Sequence, residues 1–157
     1  MNASMRAPQN RALARGSSLI ELVVMFSLVG MVSAFAIPRY TRLANEARAS
    51  QVVALSGILR GVAKSAHGQY IASGATLTAA TLEGKAVALK NGYPDASTRG
   101  IRAVLIDGAG FAAKATPDSV VFMKKGAAIE TQCAVTYSVA QSLATAESIV
   151  KLDTQGC

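Results

Sequence analysis

The stretch RGSSLIELVVMFSLVGMVSAFAIPRY, from Arg15 to Tyr40, carries one carboxylate, Glu21, at the edge of a run apolar enough to enter a membrane. From Leu19 to Ile37 there are nineteen residues, and only Glu21, Ser27, Gly30 and Ser33 oppose apolar transfer. At about 1.5 Å per residue a helix of that length nearly spans a hydrocarbon core of roughly 30 Å. Arg6, Arg11 and Arg15 precede the run with no acid among residues 1–16. That asymmetry favours an N-terminus kept in the cytoplasm and export of everything beyond Ile37. Arg39 and Arg42 follow at once and reduce the asymmetry.

The chain has 157 residues, 51% hydrophobic and 16% charged, enough for one folded unit with a core of its own. Its two cysteines, Cys133 and Cys157, lie near the end. In an exported domain they would meet an oxidising compartment, so a disulfide is the natural reading, with two unpaired thiols as the alternative. A loop of that size contributes on the order of 3 kcal/mol in the chain-entropy description.

Three fates of the N-terminal segment compete. It can remain as a signal anchor in the inner membrane. It can be an ordinary signal peptide cut after Ala34-Phe35-Ala36, which leaves a soluble secreted domain beginning at Ile37. Against this, the run is longer than a usual signal-peptide core, and Glu21 sits where such a core is most uniformly apolar. The third fate accounts for Glu21.

Gly16-Ser17-Ser18-Leu19-Ile20-Glu21-Leu22-Val23, a glycine followed five residues later by glutamate, resembles the cleavage and methylation motif of type IV prepilins. The resemblance implies that a prepilin peptidase cuts after Gly16, that Ser17 becomes a methylated N-terminus, and that the apolar segment is kept as a polymerisation helix. Residues 1–16 are then a leader, 17–38 the transmembrane and polymerisation half of the helix, and 39–157 its amphipathic half with a globular head. Gly30 and Pro38 fall where many pilins place helix-loosening residues. Ser17 departs from the phenylalanine or methionine usual at that position. Cleavage therefore rests on Gly16 itself, and methylation on the resemblance alone.

An ionisable group in an apolar environment is costly unless it is paired, which makes Glu21 a functional candidate. The resemblance implies that its partner is the Ser17 ammonium of a neighbouring subunit and that this pair sets the axial register of a filament. The other reading places Glu21 at the level of the lipid headgroups.

Beyond Pro38, which should kink or interrupt the helix, the pattern turns amphipathic. At about 100° per residue Val52, Leu55, Ile58, Leu59, Val62 and Ala66 share an arc, with Arg60 and Lys64 on another. From Ser17 to about Tyr70 the helix would be roughly 80 Å long. Gly57 and Gly61 lie off the apolar arc, either open to a close-packing neighbour or simply tolerated. Glu83-Gly84, Asn91-Gly92 and Asp107-Gly108 mark turns, with a short strand at Ala86–Leu89 and a short helix at Thr98–Ile106. Phe111–Ala115, Ser119–Lys124, Gln132–Val139 and Ser148–Leu152 alternate as strands of a small antiparallel sheet. The fold class is α+β, with a long N-terminal helix packed on that sheet. The Asn91–Ile101 stretch, NGYPDASTRGI, and the placing of Cys133 and Cys157 are similar to the mannose-sensitive haemagglutinin class of pilins.

Enzyme readings lack their parts. His67 has no cysteine or carboxylate near it in sequence and reads as a solvated surface residue, so no catalytic set is assigned. Gly108-Ala-Gly110-Phe-Ala-Ala113 has the glycine spacing of a dinucleotide fingerprint, but Pro117 follows too soon for the helix that such a site requires. Asp95, Asp107 and Asp118 are scattered, so neither a calcium loop nor any other metal or cofactor is read. Loss of the leader, with its three arginines, lowers the net charge from +7 to +4. The remaining basic residues form no single run, and ordinary solvation is the better reading than salt-dependent nucleic-acid binding.

The expectation is a pilus subunit, a single-pass protein of the bacterial inner membrane as a precursor. The prepilin peptidase and assembly machinery would then process it into an extracellular homo-oligomeric filament that attaches to a surface, glycan or abiotic. The alternative is a pseudopilin of a type II secretion-like machine.

Overall fold

The computed structural model describes residues 18–105, 110–139 and 149–157. Its first element, α1, spans Leu19–Ala72. Two compact units divide the chain between Tyr40 and Thr41. In the first, every large apolar side chain from Leu19 to Ile37 is at least half exposed. Gly30 and Pro38 both lie inside α1. Neither ends it, although proline has no amide hydrogen to donate to the preceding turn. The interruption expected there is absent, and the helix runs on through Pro38 to Ala72.

In the second unit α1 buries Val52, Leu55, Ser56, Leu59, Ala63 and Ala66. Steps of three and four residues keep these positions on one face. The stripe is rotated from the expected arc: Ile58 is 53% exposed, and Val62 only borders the core. Val52 and Leu59 lie at the centre of the stripe, with Ser56 at its edge. The Ser56 hydroxyl satisfies itself by donating to the Val53 carbonyl at 2.7 Å. Gly57 and Gly61 face open space.

Two antiparallel sheets complete this unit. The first has β1 (Ala79–Leu82), β2 (Lys85–Lys90) and β3 (Tyr93–Pro94) in that order. Its hairpins turn at Glu83-Gly84 and Asn91-Gly92, with all four residues at positive φ. That geometry matches the twist of two-residue hairpins, and it is why glycine and asparagine stand there. The strands β1 and β3 add to the single strand expected in this region. A one-turn helix α2, Ile101–Val104, occupies part of the expected Thr98–Ile106 helix. Turn chemistry claims the start of that segment: the Ser97 amide donates to the Asp95 carboxylate, and the Arg99 and Gly100 amides donate to the Ser97 hydroxyl.

The second sheet runs β4 (Phe111–Ala115), β5 (Ser119–Lys124), β6 (Ala134–Ser138) and β7 (Ile149–Asp153), in order. The four strands follow the expected ones closely. Cys133 lies just before β6 and not within it, because a 3-10 turn at Glu130–Gln132 takes up the preceding residues. Val120, Tyr137 and Val150 lie opposite one another across the strands, and so do Phe122 and Val135. Alternate residues share a face. These side chains meet Val52, Leu55, Leu59 and Ala63 of α1 in one core. The arrangement, a long N-terminal helix against a small antiparallel sheet, is an α+β layout consistent with the type IV pilin fold.

Candidate functional site

Leucine, valine, methionine, phenylalanine and alanine dominate α1 from Leu19 to Ile37, and a helix satisfies their backbone groups without outside partners. The two serines of the run satisfy themselves as well. Ser27 donates to the Val23 carbonyl at 2.8 Å and Ser33 to the Val29 carbonyl at 2.7 Å. What remains on the surface is apolar on all sides. This is the one described helix long and apolar enough to cross a membrane.

Glu21 stands in the first turn of α1, where a carboxylate complements the positive end of the helix dipole. It is exposed, and among the described residues none forms an ion pair or hydrogen bond with it. Leu22, Met25, Phe26 and Val29 continue from it as a shallow apolar groove along the helix. The carboxylate and the apolar side chains thus lie side by side on one exposed face of the helix. The cleavage and methylation positions, Gly16 and Ser17, lie outside the described residues.

At the other end of the chain Cys133 and Cys157 form a disulfide. Both cysteines are buried against the core, Cys133 completely. Backbone bonds run beside the bridge, from the Gly156 amide to the Gln132 carbonyl at 2.9 Å and from the Ile129 amide to the Gly156 carbonyl at 3.0 Å. The tail is thereby held on the sheet.

His67 departs from the solvated role expected of it. It is half-buried, its ring stacks on Tyr93 at 4.2 Å, and Nδ1 lies 3.2 Å from the Gly92 carbonyl. Its function is to seat the Asn91-Gly92 turn on α1. The signal was present in the sequence, because His67 and Tyr70 follow Ala63 and Ala66 at helical spacing, but the partner is a turn 25 residues away. Among the described residues no group of three or more histidine, cysteine or acidic side chains is arranged to hold a metal.

Comparison with models of protein families, with curated proteins and with solved structures gives no match for this chain.

Proposed function

We propose that this chain is the structural subunit of an extracellular filament of the type IV pilin kind, of the mannose-sensitive haemagglutinin class, serving surface attachment. One observation carries the reading. The helix that builds the head's core begins as an apolar cylinder exposed on every side, with a single unpaired carboxylate in its first turn. Such a surface has to be covered, by lipid before assembly and by sister helices afterwards. Contacts of this kind repeat head to tail without closing, which gives a helical fibre from one subunit. The Ser17 ammonium of one subunit would neutralise Glu21 of the next and fix the rise along the axis. The disulfide-pinned tail supports the filament reading over the secretion pseudopilin.

The test is the intact mass and N-terminal peptide of protein sheared from cells, with and without reductant. A chain that starts at Ser17, and is two hydrogens lighter without reductant, is the expected result. A chain that starts at Ile37 would make this a soluble secreted domain and end the proposal.

A further inference from the structure

The apolar cylinder has a charge at each end. Glu21 and Arg39 are eighteen residues apart in one helix and in one compact unit. At about 1.5 Å per residue their backbones lie about 27 Å apart along the axis, close to the thickness of a hydrocarbon core. Neither charge then needs to enter lipid. With Arg39 at one headgroup layer, Glu21 reaches the other.

The Arg39 end has the composition of a membrane boundary. Phe35 is 81% exposed, Ile37 64% and Tyr40 73%. Tyrosine is enriched where the bilayer meets water, since its ring is apolar and its hydroxyl wet. Arg39 is exposed beside it, and among the described residues no carboxylate lies within ion-pair distance. A guanidinium presents a planar fork of donors that matches phosphate oxygens, and its stem can lie along apolar surface while the head stays in water.

We infer that Arg39, with Tyr40 beside it, is a docking point for the phosphate of an anionic phospholipid at the outer end of the membrane span, and that this contact sets the depth of the unassembled subunit. The inference rests on the reading of Leu19–Ile37 as a membrane span. It gives a cation on the exported side a purpose, where orientation alone disfavours it. Anionic lipid is the occupant because Arg39, at the end of the apolar run, is a cation with no carboxylate partner among the described residues. A zwitterionic headgroup carries its own cation beside the phosphate and offers less.

The chain contains no tryptophan, so Tyr40→Trp in the full-length protein introduces one fluorophore at the site. The protein is reconstituted into vesicles of mixed phosphatidylcholine and phosphatidylglycerol, with bromine on the acyl chains of one lipid or the other. The ratio of quenching reports which lipid surrounds the indole. The expected result is a preference for phosphatidylglycerol of about fivefold, as one interfacial cation provides. It should weaken in Arg39→Lys, which keeps the charge and loses the planar fork, and fall furthest in Arg39→Gln, where Arg42 is the nearest cation left in sequence. Equal quenching by both lipids with Arg39 intact would overturn the inference, as would a preference that Arg39→Gln leaves unchanged. An indole blind to both lipids, in protein that still sediments with the vesicles, would place another copy over this end and also overturn it. Protein that fails to associate with vesicles at all would instead remove the membrane-span reading beneath it.

Discussion

The hydroxyl of Tyr137, near the end of β6, donates a 2.7 Å hydrogen bond to the carbonyl of Pro94, forty-three residues earlier in the chain. Pro94 belongs to β3 and pairs with Leu89 of β2. One buried contact therefore fastens the small sheet to the four-stranded one. Burial pushes the Tyr137 hydroxyl well above the ordinary tyrosine range, and negative charge at Asp95 and Tyr93 adds to the effect. Below about pH 10, where an unfolded tyrosine is protonated, this contribution is fully present. Above it the unfolded chain releases a proton that the folded chain keeps, so stability falls as pH rises.

Tyr137→Phe tests that linkage. Near neutral pH it should cost about 1–3 kcal/mol, since the Pro94 carbonyl loses its donor in a buried place. Between pH 10 and 11.5 the parent should lose up to about 1.4 kcal/mol per pH unit from this group, and the variant should lack that loss. Urea titrations at several alkaline pH values measure both. Parallel pH profiles would assign the alkaline loss to other groups.

Gly92 makes a second prediction, because two separate effects forbid a side chain there. Its φ is +76°, and an added Cβ would lie 2.6 Å from Cδ1 of Tyr70 and 3.1 Å from Nδ1 of His67. Gly84 has nearly the same φ, +77°, with nothing within 4 Å. Gly84→Ala should therefore cost only the backbone term, about 1–2 kcal/mol. Gly92→Ala should cost more, by about another 1–3 kcal/mol for overpacking. Equal losses would show that the His67, Tyr70 and Tyr93 cluster yields freely.

Much of this architecture is legible in the residues, and the exceptions share a cause. Phe111–Ala115 and Ser119–Lys124 are strands with the expected ends, because Phe111 and the Val120-Val121-Phe122 run favour strand and the Thr116-Pro117-Asp118 turn bounds them locally. The long helix is legible for the same reason, and the disulfide because the chain has only two cysteines to pair. β1 is not, since AATL has little β-branched or aromatic content, and its pairing with β2 arises from the Glu83-Gly84 turn. The seating of His67 and the Tyr137–Pro94 bond depend on contacts far apart in sequence, which no local pattern carries. At the candidate site Glu21 stands out by its charge alone. Arg39 acquires meaning only when its distance from Glu21 is measured along the helix.

The rotation of the buried stripe on α1 is testable with two adjacent positions. Leu59 is fully buried in the core, whereas Ile58 is half exposed. Leu59→Ala should cost about 2–5 kcal/mol through lost burial and the cavity left behind. Ile58→Ala should stay within about 1 kcal/mol, as exposed positions generally do. Chemical denaturation of the two variants decides it. A large loss at Ile58 would return the stripe to the arc that periodicity alone suggests.

The disulfide separates covalent from non-covalent contributions at the end of the chain. Cys133 and Cys157 are 24 residues apart, and closing that loop contributes about 3 kcal/mol if the effect acts mainly through the unfolded chain. Replacing both with alanine keeps the buried site apolar, so the double variant should lose about that amount without an added polar penalty. Two backbone hydrogen bonds through Gly156 remain to hold the tail. In the double variant these bonds close the same loop without covalent help, and each contributes only about 1 kcal/mol. Hydrogen exchange at the Gly156 and Ile129 amides should therefore accelerate more than exchange at Val120 or Val135 in the sheet. Uniform acceleration across all four would mean that the tail and sheet unfold as one unit, and that the bridge stabilises the whole head instead of pinning its end.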